Sequence, residues 1–330
     1  MSYVQALVPA EHASNHVLVL PGGIEPDTVK TLAEAWFGDV RWLREPAAAV
    51  TTRPMTGARF RGIVAAEPAG PAAPGVLGVG AEHGLAGPFP VTADASPLAG
   101  LTGPAVSYAL GRVDGNLDQR GGRPATPDDR DGISRAFATG LPDGEELRLV
   151  QWGVAVARHL AGALLADGRQ LLRPDPASPV DLSLYSPHPV ATGDLLALLR
   201  AQVATADVDP AGPAGQRLVA RTPYDGSVVV TTERVDRVPR ALAAVDWREY
   251  GPHVVRVVWQ PQDPYELQVE QPSGLHAIAR ARMRAMVARL VLALHVSVGG
   301  MIVDDDAFVA TTADVERRTV EQQGVGRAWI

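Results

Sequence analysis

The residues of this chain best suited to chemistry are aspartates. Asp304, Asp305 and Asp306 stand together where the apolar run Met301-Ile302-Val303 ends. Clustered carboxylates at a strand end are the ligands that hard cations such as Mg²⁺ or Mn²⁺ take. Three consecutive side chains cannot all face one point, so at least one must turn outward. Asp128, Asp129 and Asp131 precede Gly132 in a second acidic run. In a calcium-loop register, Pro127 and Ala138 would fall on the two essential end positions, so a solvated loop is the expectation there. The metal candidates are therefore Asp304, Asp305, Asp306, Asp128, Asp129 and Asp131. A divalent cation is the one cofactor these residues admit, and no other is expected.

Other chemistries find less. Pro21-Gly22-Gly23 lies between strand-like and helix-like stretches but lacks phosphate-loop spacing and reads as a tight turn. Gly75, Gly78 and Gly80 read as a flexible loop or bulged strand. His12 and His16 straddle a strand start, and His159 is expected to be buried and hydrogen-bonded. No HExxH, GxSxG or SxxK occurs, and Ser107, Ser183 and Ser186 have no special context.

The composition narrows the classes. The chain of 330 residues has no cysteine, which excludes disulfides, thiolate catalysis and zinc–thiolate sites. Its 37 acidic residues outnumber 30 basic ones and are spread along the chain with no basic stripe, so nucleic acid is not an expected partner. The N-terminus lacks a basic start followed by an apolar run, so no secretory signal is expected. The apolar stretch around 285–298 is broken by Arg289, His295 and Ser297, so no membrane span is expected either. A cytoplasmic protein is the expectation. Lys30 is the lone lysine. With abundant Ala, Gly, Pro and Val, that bias reads as a high-GC bacterial genome and weakens any inference from arginine counts.

Strands are expected at 16–20, 39–44, 59–65 and 105–113, with a helix from Asp27 to Phe37. Residues 114–140 read as a long polar loop. Asp143 and Glu146 have capping-box spacing and open a long helix that continues through Ala161 and Leu164 to Asp167-Gly168. A strand at 170–172 and the linker 173–179 follow. The second part reads as a strand at 180–185, a helix at 192–203, a hairpin spanning 217–232, a short helix after Pro239, and a strand at 253–260. A helix capped by Ser273 and stopped at Gly299-Gly300 leads to a last strand and a helical tail.

Val156-Ala157-Arg158 matches Val287-Ala288-Arg289, and Gly168, Leu171-Leu172 and Asp175 fall on Gly299, Ile302-Val303 and Asp306 at the same offset. The expected class is α/β or α+β, with two similar halves related by internal duplication. Each half carries a mixed or antiparallel sheet covered by a long helix. The N-terminal half spans 1–175, the C-terminal half 180–310, and a helical tail 311–330. Ala277, Ala281, Ala285 and Ala288 form a small face on the second long helix, and Arg280, Arg282, Arg284 and Arg289 snorkel at its borders. The two long helices are expected to meet, within the chain or across a dimer. Two functional classes remain: a non-catalytic binding or assembly protein with a protein partner or self-association, and an enzyme with a ligand or metal cleft between the halves that uses the aspartates.

Overall fold

The structure, a computed structural model, describes residues 3–47, 73–116, 129–209 and 217–320. The expected strand at 59–65 and Asp128 lie outside these residues. The class is α+β: two seven-stranded antiparallel sheets and, among the described residues, seven α-helices.

The first sheet comes from β1 (His16–Pro21), α1 (Pro26–Glu34), β2 (Val40–Arg44), β3 (Gly75–Val79), β4 (His83–Val91), β5 (Ala105–Arg112), α2 (Ile133–Ala136), α3 (Gly144–His159), β6 (Ala163–Ala166) and β7 (Gln170–Leu172). Its strand order is β2-β3-β4-β5-β1-β6-β7. The second comes from β8 (Leu182–Ser186), α4 (Thr192–Gln202), β9 (Asp207–Val208), β10 (Arg217–Thr222), β11 (Gly226–Arg234), α5 (Trp247–Tyr250), β12 (His253–Gln260), α6 (Gly274–Val298), β13 (Met301–Asp304), β14 (Val309–Ala310) and α7 (Thr312–Val320). Its order is β14-β13-β8-β12-β11-β10-β9.

Residues 17–20 of β1 are all apolar because both faces of the strand are covered. Leu18 and Leu20 join the cluster built by Val29, Leu149, Trp152 and Val156 of α1 and α3. Val17 and Val19 join the cluster of Val4, Leu7, Phe89 and Val91 on the other face. That is the strand period of two at work on a doubly buried strand. In the second sheet, Leu182, Leu184, Val255 and Val257 pack with Met283, Val287 and Leu294 of α6. The opposite face carries only a small cluster around Tyr185, Leu242, Val254 and Val303.

The first long helix is shorter than its periodicity suggests. α3 ends at His159, and Ala163–Ala166 is a strand paired with β1 and β7. Ala161 takes a left-handed φ of 53°, and the Gly162 amide donates back to the Ala157 carbonyl at 2.7 Å. This is the Schellman closure, with alanine where glycine is usual. The usual stop signal is therefore absent, and the fully buried run Ala-Leu-Leu-Ala looks the same to a helix pattern as to a strand pattern. Gly168 consequently sits in the β6–β7 turn, whereas Gly299 ends α6. The pairing of those glycines, and of Leu171-Leu172 with Ile302-Val303, does not hold in space.

Four further expectations are corrected. The Asp143 side chain makes no cap hydrogen bond on α3, and the Glu146 side chain pairs with His16. Gly75 and Gly78 lie in strand β3 rather than in a loop, and the pairing of β3 with β2 carries a bulge. His159 is exposed rather than buried. Within the chain the two long helices do not pack against each other: α3 lies on α1 and its own sheet, and α6 on α4, α7 and its own sheet. Ala285 and Ala288 of the small face are buried within that second assembly, and Ala277 and Ala281 are half-buried.

Candidate functional site

The turn after β13 meets the end of α3, and there the two sheets share a buried charged cluster. Arg158, the penultimate residue of α3, is 2% exposed. It donates from Nη1 to Asp306 and from Nη2 to Asp131. Burial opposes the Arg158 charge, but the two carboxylates outweigh it and hold its pKa above the usual range. Burial raises the Asp306 carboxyl by more than Arg158 lowers it. The Trp36 indole N–H donates to the Asp306 carbonyl at 2.8 Å, tying α1 to the same turn.

Asp304 is committed to its own turn. Its Oδ1 accepts from the amides of Asp306 at 3.1 Å and Phe308 at 2.9 Å. Asp129 likewise accepts from the amides of Ser134 and Arg135 at the start of α2. Arg135 forms a two-pronged pair with Glu270, so α2 is latched to the loop before α6.

Asp129, Asp131, Asp305 and Asp306 all line one cavity of about 520 Å³ between the sheets, with Trp36, Arg130 and Gln268. Asp305 lies in this concavity, open to water yet surrounded by protein. The loss of bulk solvent around it, then the charges of Asp181 and Asp306, push its carboxyl up to about 8. Asp181 accepts from the Trp259 amide at 2.8 Å, and burial raises it to about 6. Four of the six aspartates singled out in the sequence thus share a cavity, and Asp304 faces a neighbouring one.

Among the described residues, these aspartates form no group of three with ligand atoms within 4.8 Å of one another. Among the described residues, the one group of three such side chains whose ligand atoms lie within 4.8 Å of one another is His16, Glu146 and Asp167. His16 is buried at the start of β1. Its Nε2 is 3.2 Å from Glu146 Oε1, and its Nδ1 accepts from the Asp167 amide at 3.1 Å. These partners assign the proton to Nε2. The sequence hid this group: Glu146 had cap spacing, and Asp167 was taken for the end of a helix.

A third feature is apolar. Tyr224, Leu275 and Ile278 are exposed around a pocket of about 430 Å³ that Trp259 also lines. The Trp259 ring lies 4.9 Å from that of His276. Leu275, in the first turn of α6, is 82% exposed. Arg284, placed at a solvent border, is buried.

Among the described residues, no helix is long and apolar enough to cross a membrane. Compared with family models, curated proteins and solved structures, the chain matches none.

Proposed function

We propose that this chain is a non-catalytic binding protein that holds a protein partner, or a second copy of itself, through the aromatic-rimmed pocket between β12 and α6. The observation that carries this reading is the exposure of Tyr224 at 83%, Leu275 at 82% and Ile278 at 38% around one concavity. Single exposed apolar residues are ordinary, but several large ones around a pocket mark an interaction surface. A tyrosine such as Tyr224 suits such a rim because it buries much area with little rotamer loss. Asp263 and Glu266 at the edge favour a basic flank on the partner.

The test compares wild type with a Tyr224→Ser/Leu275→Asp double variant. Sedimentation velocity reads self-association, and paired affinity capture reads a partner. An association present in wild type and lost in the double variant supports the reading; identical behaviour of the two proteins overturns it.

The same proposal takes the chain as two copies of one unit. Counted within its own set of strands, each sheet runs 2-3-4-5-1-6-7 from one edge. The closing hairpins share a bond: Arg169 N–H to the Ala166 carbonyl at 2.9 Å, and Ala307 N–H to the Asp304 carbonyl at 3.0 Å. A Cβ on Gly162 would lie 2.4 Å from the Val19 carbonyl oxygen, and one on Gly300 2.1 Å from that of Tyr185. Both glycines bring a long helix's exit hard against the first strand of its sheet.

A second reading is favoured by Asp305. A carboxyl titrating near 8 in a cavity beside Arg130 and Trp36 suits a ligand or proton-transfer site. Ligand-dependent melting shifts lost in Asp305→Asn would support it.

A further inference from the structure

The pocket of about 430 Å³ beside Trp259 contains one polar side chain that the fold leaves without a partner. His276, in the first turn of α6, lines it and is 7% exposed. Its backbone amide donates to Ser273 Oγ at 3.2 Å, and its ring lies tilted against that of Trp259. Neither ring nitrogen makes a hydrogen bond among the described residues, and neither is sealed from solvent. Burial, then the Arg280 charge, lower its pKa against the opposing pull of Glu266 and Asp263, so the ring is neutral at neutral pH. It therefore offers one donor and one acceptor. A buried imidazole with both unused, facing a concavity, marks a place where a ligand supplies the partner.

The charges around the pocket do not balance. Arg282 stands 3.4 Å from Asp225, and Arg280 pairs with Asp175. Asp263 and Glu266 each accept one backbone amide, of Tyr265 at 3.0 Å and of Ser273 at 2.7 Å, and neither has an ion pair among the described residues. Two carboxylates thus stand at the edge with no cation set against them. The walls between are apolar, from Leu275, Ile278, Ala279 and Pro261.

We propose that this pocket anchors a tyrosine side chain carried by a basic segment of the partner, with His276 as the residue that selects the phenol. The proposal rests on the partner-binding reading of the same pocket and names the chemistry of what enters it. Apolar walls beside the Trp259 ring suit a second aromatic ring. A phenol O–H both donates and accepts, so it answers whichever imidazole nitrogen it meets. An indole N–H only donates, and a phenylalanine ring does neither. Lysine or arginine next to the tyrosine meets Asp263 and Glu266.

The experiment titrates the full chain with three capped tripeptides, acetyl-Arg-Tyr-Arg-amide, acetyl-Arg-Phe-Arg-amide and acetyl-Glu-Tyr-Glu-amide, followed by calorimetry and saturation-transfer NMR. Arg-Tyr-Arg should bind about three- to tenfold tighter than Arg-Phe-Arg, the scale of one neutral hydrogen bond. Glu-Tyr-Glu should bind weakest, and its deficit should shrink with added salt. His276→Leu should bind both arginine-flanked peptides and no longer prefer tyrosine. His276→Gln restores a donor and an acceptor and should recover part of the preference. If neither variant folds, the preference of wild type for tyrosine over phenylalanine decides. Equal binding of those two peptides, a preference that survives in His276→Leu, or no binding of any tripeptide overturns the proposal. If the Tyr224→Ser/Leu275→Asp variant still loses association in that case, the partner-binding reading stands and only the tyrosine anchor falls.

Discussion

Arg158 at the end of α3 and Asp306 in the turn after β13 form a buried ion pair that joins the two sheets. Asp131 holds the other prong of the same guanidinium. The arrangement is stable only while all three are present, because a buried charge stripped of its partner keeps its desolvation penalty. Arg158→Ala should destabilise the chain by about 3–5 kcal/mol in chemical denaturation. Asp131→Asn leaves Asp306 in place and should be milder. An Arg158→Ala loss below that of Asp131→Asn would show that the cluster does not hold the sheets together.

Ala161 holds a left-handed conformation in which an L side chain costs about 1–2 kcal/mol. Ala161→Gly should therefore stabilise the chain by about 1 kcal/mol. A raised denaturation midpoint with an unchanged slope is the expected result.

Gly162 and Gly300 admit no Cβ against the facing backbone. Alanine at either should destabilise by about 1–3 kcal/mol from overpacking. Gly300 should lose more, since its φ of 115° adds backbone strain. Gly193 in the first turn of α4 has open space around it, so alanine there should be neutral or slightly stabilising. Equal effects at all three positions would contradict the close approach.

The Asp305 and Asp181 carboxyls sit near 8 and 6, above their unfolded values near 4. At these two sites the folded chain thus binds more protons than the unfolded chain between those limits, and their contribution lowers stability as pH rises from about 4 to 8. Asp305→Asn removes the titrating group, so the decline above pH 6 should flatten, and the variant should melt higher than wild type at pH 8. Melting curves across this range check the sign.

His16 and Glu146 are a buried pair, so Glu146→Ala strands the imidazole N–H and should cost about 1–3 kcal/mol. Glu146→Gln retains an acceptor oxygen and should lose less. Equal losses would mean that the hydrogen bond is not what holds Glu146 in place.

Particular elements show where local pattern was enough. The strand at 253–260 and the helix from Ser273 to Gly299 carry complete local signals: β-branched residues in one, and in the other a serine that caps the His276 amide with a glycine stop. The end of α3 carries none, because an alanine stands in the left-handed position. The aspartates were legible as a group of acids, but not as partners of Arg158, since a long side chain can find any neighbour the fold supplies.

The sequence by itself determined the class of element at most positions, the absence of cysteine chemistry, and which aspartates lie near one another along the chain. Local preference and apolar period act over a few residues, so they are written locally. Only the tertiary structure decided that the strands form two antiparallel sheets with matching order. The fold also decided that Arg284 and Arg318 are buried while Leu275 and Tyr224 are not, and that His16, Glu146 and Asp167 meet. Burial and charge pairing are properties of what packs around a residue, and those neighbours come from segments up to hundreds of residues away.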